Sequence, residues 1–420
     1  MSESPARLRS DSVFRCWAAA QVVNVTGSTV SQTVLPILVF QLTRSVVLTS
    51  LLAAVEVAPY LVFGLVAGPV ADRVPRRALM TRGYGASAAV AAILPAAGWL
   101  GRVPVGLVFG CALTVSVLFV FTDAAAFGAY PLLIGREPLP AASGAINSMA
   151  AASGVIVPSL AAGAVARWGP TGVLITDAVS YLIAAALLTR IRKPFGPGPP
   201  GEGRRRIIRD AAEGLRYIRG QAVLRLLLSV GFVNSLAFGS VGALTVVYGV
   251  QALHLAAHSP RLGWLYSASA TGSVLASLAF SRLYRRRSPT GLTTAATLAA
   301  ALTVGGLALV APLPAALALL LLVFWFAANT VVMTGITYRQ TSTPDLLLSR
   351  VNVVGRMIAW GGQPAGAAAI GLLASGIGVR PAFAVTAGCL LVAGTTCGAF
   401  HCRRVGSGPQ GAASVSSAGS

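Results

Sequence analysis

A basic loop between two long apolar segments reads Gly68-Pro69-Val70-Ala71-Asp72-Arg73-Val74-Pro75-Arg76-Arg77. A similar loop stands 209 residues later and reads Ser277-Leu278-Ala279-Phe280-Ser281-Arg282-Leu283-Tyr284-Arg285-Arg286. When the two loops are aligned, the three arginines of the first fall on three arginines of the second. Because the offset is half the chain, the sequence predicts two similar halves.

The composition of the whole chain indicates a membrane protein. Of its 420 residues 55% are hydrophobic and 10% are charged, and the mean hydropathy is +0.76. An ordinary soluble domain carries about 25% charged residues, so the sequence excludes soluble and disordered proteins. A membrane-spanning helix needs ~20 apolar residues, so twelve helices use roughly 240. The predicted fold is an all-α membrane protein with 12 transmembrane helices in two pseudo-symmetric six-helix bundles.

Apolar stretches and breakers between them give the expected organisation of the chain. The N-terminal bundle is predicted at 1–191 and the C-terminal bundle at 223–402. Residues 192–222 are predicted to form a basic cytoplasmic linker with an interfacial helix, and 403–420 a disordered cytoplasmic tail. The twelve predicted spans are 16–40, 46–70, 78–99, 105–130, 141–166, 171–191, 223–250, 262–281, 291–311, 315–338, 351–375 and 381–400.

The net charge of +21 does not indicate a nucleic-acid partner, because the basic residues stand in short runs between apolar stretches. With the N-terminus inside, 27 of the 32 basic residues fall on the inner side and 5 on the outer side. This asymmetry predicts that both termini are cytoplasmic. The sequence contains no Walker A motif, no nucleophile–base pair and no metal-ligand pattern among its five cysteines. No enzyme activity and no cofactor are therefore expected.

Several predicted spans carry polar or aromatic residues at helical spacing. Polar groups are unfavourable against lipid, so these residues are predicted to line a central cavity, with hydrogen bonds between helices as the alternative. Mixed aromatic and neutral polar walls suit a bulky amphipathic substrate. The predicted cavity residues are Asn24, Ser28, Gln32, Asn234, Phe238, Tyr248, Trp325, Asn329, Trp360 and Gln363.

Glu56 stands near the middle of the predicted second span, between Val55 and Val57. An acidic residue at a helix centre costs ~2.5–3.5 kcal/mol on insertion scales, so it usually faces a cavity and serves a function. Glu56 is predicted to couple transport to protons or to bind a cationic substrate, with a packing role as the alternative. Asp177, nearer the outer end of the sixth span, is predicted to form structural hydrogen bonds.

The first basic loop resembles the G-x-x-x-D-R-x-x-R-R motif of the major facilitator superfamily, with Pro75 where glycine is usual. The segments Phe121-Thr122-Asp123-Ala124 and Ala145-Ile146-Asn147-Ser148 look like the fourth and fifth spans of its bacterial efflux branch. That branch includes exporters of enterobactin, macrolides and multiple drugs. The antiporter motif of the fifth span has lost most of its glycines around Pro158, which weakens the inference of antiport.

The resemblance implies a cytoplasmic gate. In the family the motif aspartate meets the start of the eleventh span, and a motif arginine pairs with an aspartate on the fourth span. Carried over, Asp72 lies near 352–356 and Arg76 pairs with Asp123. The implied gate residues are Gly68, Asp72, Arg73, Arg76, Arg77 and Asp123. The alternative is that the arginines only set the topology.

The sequence therefore predicts a secondary active transporter of the bacterial inner membrane. The resemblance implies export of a drug, antibiotic or siderophore, by proton antiport with alternating access. The expected partners are a small-molecule substrate, protons and the lipid bilayer, with no nucleic acid, and the protein is expected to be a monomer. A proton-coupled importer of the same fold and a non-transporting membrane sensor remain the alternatives.

Overall fold

The computed structural model describes residues 12–134, 139–191, 213–251, 259, 261–309 and 313–406. Some side chains within the helices lie outside this description, including those of Gly68, Asp72, Arg73 and Trp360. Residues 407–420 of the predicted tail and most of the predicted linker also lie outside it, whereas 403–406 continue the last helix. The described ranges form twelve long helices and one shorter helical stretch at 213–220, with no strand.

The twelve long helices alternate with short connections. The helices of the first half are α1 Ser12–Thr43, α2 Val46–Arg73, α3 Arg76–Trp99, α4 Val105–Ile134, α5 Leu139–Val173 and α6 Ile175–Arg190. Those of the second half are α7 Ala222–Gln251, α8 Arg261–Arg286, α9 Pro289–Leu309, α10 Pro314–Ser342, α11 Asp345–Ile377 and α12 Val379–Gly406.

The observed helices cover most of the predicted spans, and several extend beyond them by one or two turns. The chain is helical on both sides of Gly169 and bends there, within the break 167–170 that was predicted between the fifth and sixth spans. Gly169 has φ 72°, in the left-handed region that glycine adopts without steric penalty. This bend lets α5 and α6 follow each other with hardly any loop.

Nine of the described helices contain a window long and apolar enough to cross a membrane. The remaining three long helices are α3, α6 and α8. The α6 helix has 16 residues, and α8 carries several serines and glycines as well as four arginines near its ends. The α3 helix begins with two arginines and carries a third one turn later. These compositions explain why hydropathy alone does not identify all twelve as spans.

The helix contacts within the two halves follow one pattern. In the first half, α1 packs on α5 and α6, α3 packs on α4 and α6, and α2 packs on α4. Each of these pairs recurs in the second half between the helices six places later: α7 with α11 and α12, α9 with α10 and α12, and α8 with α10. The halves meet mainly where α2 packs on α11 and where α5 packs on α8. These two contacts are equivalent, because a shift of six helices replaces α2 by α8 and α11 by α5.

Two glycines allow the halves to approach closely. A Cβ atom on Gly263 of α8 would overlap the backbone of Pro158 and Ser159 on α5. A Cβ atom on Gly371 of α11 would overlap the side chain of Ser50 on α2. Small residues of this kind let membrane helices pack with their backbones close together.

The helical stretch 213–220, here called the connector helix, packs on the second half. Ile218 is buried with Leu224 of α7 and Val351 of α11. The Tyr217 hydroxyl donates a hydrogen bond of 3.0 Å to the Ser342 carbonyl at the end of α10. In the described part of the predicted linker, Ile218 therefore packs on α7 and α11, and residues 192–212 lie outside the description.

Candidate functional site

A cavity of about 610 Å³ lies between the two halves. Residues of all six helices of the first half form one wall, and residues of α7, α8, α10 and α11 form the other. Because α2 packs on α11 and α5 packs on α8, both inter-half contacts border the cavity. A volume of this size suits a drug-sized organic molecule, for which pockets usually measure roughly 300–1,000 Å³.

Five of the predicted cavity residues lie on this wall. Phe238 of α7 and Trp325 of α10 meet edge to face, with ring centroids 3.9 Å apart. The pair forms an aromatic corner, and the Trp325 Nε1 has no hydrogen-bond partner among the described residues. The five residues are Ser28, Gln32, Phe238, Trp325 and Gln363.

The structure places four other predicted cavity residues at helix contacts. The amide of Asn234 donates to the Ala328 carbonyl of α10 at 3.2 Å, and the Tyr248 hydroxyl donates to the Leu307 carbonyl of α9 at 2.7 Å. Asn329 donates to Ser273 of α8 at 2.9 Å. Asn24 is 5% exposed and does not line the cavity. The side chain of the tenth, Trp360, lies outside the described residues.

Glu56 opens onto the cavity from the middle of α2. Its side chain is partly exposed, and its carboxyl group has no hydrogen-bond partner among the described residues. Both features leave the group accessible to a ligand or a proton inside the cavity.

Asp177 of α6 forms a second acidic group on the wall and is 4% exposed. Its Oδ2 accepts a hydrogen bond of 2.5 Å from Ser31 of α1. Its Oδ1 has no partner among the described residues. The absence of a side chain at Gly27 makes room for Asp177, because a Cβ atom there would lie 2.9 Å from Oδ1. The predicted hydrogen-bonding role thus coincides with a place at the cavity.

Sequence reasoning missed the aromatic residues that complete the wall. Tyr60 follows Glu56 by four residues and therefore shares its helix face. Phe119 and Tyr181 come from α4 and α6, and Tyr266 comes from α8. The spacing of Tyr60 from Glu56 was a usable signal, and Tyr181 follows Asp177 at the same spacing. Phe119 stands among apolar residues that give no such sign.

A polar cluster joins the halves beside the cavity. The Tyr60 hydroxyl donates to Asp123 Oδ2 of α4 at 2.7 Å. Arg356 of α11 donates from Nη2 to the Tyr60 oxygen at 3.2 Å, and its guanidinium lies 5.5 Å from the centre of the Tyr60 ring. Tyr60 therefore connects an acid of the first half to a base of the second.

Among the predicted gate residues whose side chains are described, Asp123 is linked to the second half through the Tyr60 hydroxyl. Arg77 donates to the Thr189 carbonyl at the end of α6, which ties α3 to α6 within the first half. Arg76 is 7% exposed at the start of α3. The side chains of Gly68, Asp72 and Arg73 lie outside the described residues.

The described part of the chain contains no group of three or more histidine, cysteine or acidic residues placed to hold a metal ion. The five cysteines are all free thiols, with Cys111 and Cys397 buried. Aromatic, aliphatic and neutral polar side chains make up most of the cavity wall, a lining that suits an organic molecule.

Comparison with known proteins also indicates a membrane transporter. Over 231 residues the chain is 25% identical to macrolide efflux protein A of Streptococcus pyogenes, an alignment that covers 55% of this chain and 57% of the relative. The chain thus spans little more than half of that relative's length. It is 25% identical over 356 residues to the enterobactin exporter EntS of Shigella boydii serotype 4, which covers 82% of this chain and 81% of the exporter.

Solved transporter structures share the fold. A mutant of the nucleoside transporter NupG superposes with a TM-score of 0.78 at 11% identity, over 92% of this chain and 99% of NupG. A bacterial homologue of the human lysosomal transporter Spinster gives 0.75 at 12% identity, over 96% and 98% of the two chains.

The family of transmembrane secretion effectors matches residues 3–414, nearly the whole chain. The relatives of this family are membrane transporters and not enzymes, in agreement with the prediction from the sequence that the protein is not an enzyme. The chain belongs to the transmembrane secretion effector family and is a multi-pass membrane transporter of the major facilitator superfamily.

Proposed function

We propose that the protein exports a small amphipathic organic molecule in exchange for protons. The observation that carries this proposal is Glu56, an acidic residue in the middle of a membrane helix whose carboxyl group opens onto a cavity bordered by both halves. A carboxyl group in such a place can hold a proton or bind a substrate, and the two compete for it. Competition of this kind is the simplest basis of antiport.

The membrane potential is sufficient to drive such an exchange when the substrate is neutral. One charge that crosses 100 mV releases ~2.3 kcal/mol, and a tenfold gradient requires about 1.4 kcal/mol. For a neutral substrate one proton therefore supports roughly a 45-fold gradient from the potential alone. When a monovalent cation is exchanged one for one with a proton, no net charge crosses the membrane, and the pH gradient drives export instead. The absence of a Walker A motif is consistent with this energy source.

The two halves are proposed to rock about the cavity. In this proposal 1–191 and 223–402 are the moving bundles, 192–222 is the cytoplasmic linker and 403–420 is the cytoplasmic tail. The protein is proposed to act as a monomer. The distribution of basic residues supports a topology with both termini in the cytoplasm of a bacterial cell. The contacts of α2 with α11 and of α5 with α8 would open and close in turn.

The gate is proposed to include the Tyr60–Asp123–Arg356 cluster. It links α2 and α4 to α11 through two hydrogen bonds, so its formation favours the state in which these helices are close. The motif residues Gly68, Asp72, Arg73, Arg76 and Arg77 are proposed to complete the gate further along the chain, where α2 ends and α3 begins. Since Glu56 and Tyr60 share a face of α2, a change at the cavity can reach the cluster through one helical turn.

The direction of transport is supported by the named relatives. One is a macrolide efflux protein and the other an enterobactin exporter. We propose export of an antibiotic, a multidrug substrate or a siderophore on this basis. An importer of the same fold would bind and release the same ligand in the opposite order, so direction must be measured.

The test uses everted membrane vesicles energised to acidify their interior, with a panel of fluorescent dyes and labelled antibiotics. We expect the wild-type protein to accumulate a substrate in the vesicles until a protonophore collapses the gradient. Glu56→Gln should abolish uphill accumulation, whereas Glu213→Gln in the connector helix should retain it. Accumulation only in right-side-out vesicles would identify an importer, and uphill transport by Glu56→Gln would remove Glu56 from the coupling mechanism.

A further inference from the structure

We propose that the central cavity selects organic cations that carry aromatic groups. This inference concerns the substrate class of the same site and rests on the proposed transport function. It follows from the charges on the cavity wall. Glu56 and Asp177 line the cavity, and the described residues of the wall include no lysine, arginine or histidine.

Arg356, the cation that contacts the lining residue Tyr60, is not itself part of the wall. Asp123 shares the same tyrosine hydroxyl. The other titratable groups of the wall are Cys111 and the three tyrosines 60, 181 and 266, which contribute no positive charge. Inside a membrane protein charges act on one another more strongly than in water, so the cavity favours a positive ligand.

The two acids have different surroundings. Glu56 is partly exposed to the cavity and has no hydrogen-bond partner among the described residues. Asp177 is 4% exposed, and Ser31 occupies one of its oxygens while the other has no partner in the described part of the chain. Glu56 can therefore touch a ligand directly, and Asp177 adds charge from a fixed position on α6. An anionic ligand would find no positively charged side chain among the described residues of the wall.

Aromatic side chains supply the rest of the recognition. Phe119, Tyr181, Phe238, Tyr266 and Trp325 line the same cavity as the acids and come from five different helices. A cation is attracted to the face of an aromatic ring, and ring stacking favours aromatic groups on the ligand. Within 610 Å³ these features suit a flat or branched aromatic cation of drug size.

The test compares two probes of nearly equal shape and opposite charge, tetraphenylphosphonium and tetraphenylborate. Binding of each is measured by equilibrium dialysis to the purified full-length protein in neutral detergent, without any gradient. We expect the phosphonium to bind at least ~10-fold more tightly than the borate, a difference of about 1.4 kcal/mol. Equal binding of the two, or tighter binding of the borate, would overturn the proposal without recourse to any variant.

Variants then assign the preference to the acids. Glu56→Gln should weaken phosphonium binding about 10-fold or more and reduce the difference between the probes, and Asp177→Asn should do so to a smaller extent. Glu213→Gln, outside the cavity, should leave both affinities unchanged. Glu56→Asp should retain most of the preference, which separates loss of charge from loss of fold. A preference unaffected by both acid variants would overturn the assignment to this cavity.

This experiment is independent of proton coupling. A cation preference that depends on Glu56, found in a protein that performs no proton-driven export, would contradict the proposed function and leave the inference standing. Proton-driven export of anionic or neutral molecules without cation binding would support the proposed function and contradict the inference.

Discussion

At the scale of single residues, Tyr60 is the side chain on which the inter-half cluster depends. Its hydroxyl is at once the donor to Asp123 and the acceptor from Arg356. Hydrogen bonds to charged groups contribute ~1.5–3 kcal/mol. Tyr60→Phe removes both bonds and retains the ring over which the guanidinium lies.

We expect Tyr60→Phe to lower the melting temperature of the purified protein by a few degrees. Asp123→Asn should lower it similarly, and the double variant should be little worse than either single variant because both act on one cluster. Tyr284→Phe on α8, whose ring packs on Phe280, is the matched control and should melt like the wild type. Additive losses in the double variant would show that Tyr60 and Asp123 act separately.

Two residues one turn apart on α7 are expected to behave differently. Asn234 is fully buried and bonds the backbone of α10, whereas Phe238 lines the cavity. Asn234→Ala should cost stability, about 0.6 kcal/mol or somewhat more by the average for such bonds in membranes, and should scale down transport of every substrate equally. Phe238→Ala should instead change the ranking of substrates in the efflux panel. A reordered panel in Asn234→Ala would place that residue functionally at the cavity.

At the scale of helices, the close approach of α8 to α5 depends on Gly263. Added side-chain volume at a well-packed contact typically costs about 1–3 kcal/mol, and here the obstacle is backbone, which cannot rotate away. We expect Gly263→Ala to lower both the melting temperature and the transport rate. Gly388→Ala on α12, where an added Cβ meets nothing within 4 Å, should change neither. Tolerance of Gly263→Val would show that this helix contact is not tight.

The helices also show how much of the fold could be predicted. The repeated basic loop and the apolar stretches predicted the all-helical architecture, because both follow from the demand that backbone groups in lipid bond within the helix. The break expected between the fifth and sixth spans, at 167–170, contains the bend at Gly169.

The polar stripes predicted the cavity only in part, for a physical reason. Periodicity shows that Asn234, Phe238 and Tyr248 avoid lipid, but a helix inside a bundle has several buried faces. Asn234 and Tyr248 face neighbouring helices, and Phe238 faces the cavity. The pattern along one helix cannot say which neighbour each face meets, because the neighbours come from distant parts of the chain.

At the scale of the molecule, the Ser159–Ser267 pair offers a direct test of movement between the halves. The two hydroxyl oxygens lie 2.8 Å apart across α5 and α8, close enough for a disulfide after substitution. In a background without the five native cysteines, Ser159→Cys with Ser267→Cys should cross-link on oxidation and stop transport, and a reductant should restore it.

The matched control joins two helices of one half. Thr26 and Ser153 have hydroxyl oxygens 3.1 Å apart across α1 and α5. Thr26→Cys with Ser153→Cys should cross-link equally well and leave transport running, because rocking of the halves does not change distances within one of them. Undiminished transport by the cross-linked Ser159–Ser267 pair would contradict alternating access through this seam.

The cavity wall is built by two halves of one pattern, yet its described acids both come from the first half, while the second contributes Phe238, Tyr266 and Trp325. Under the proposed mechanism the two halves have different roles. The first half supplies the acidic residues that couple transport to protons, and the second half supplies aromatic residues that determine which substrate fits the cavity. Mutations in the second half can then change the substrate specificity without abolishing proton coupling. A transporter built from two similar halves can therefore evolve to accept new substrates through substitutions in one half, while the other half retains the residues needed for coupling.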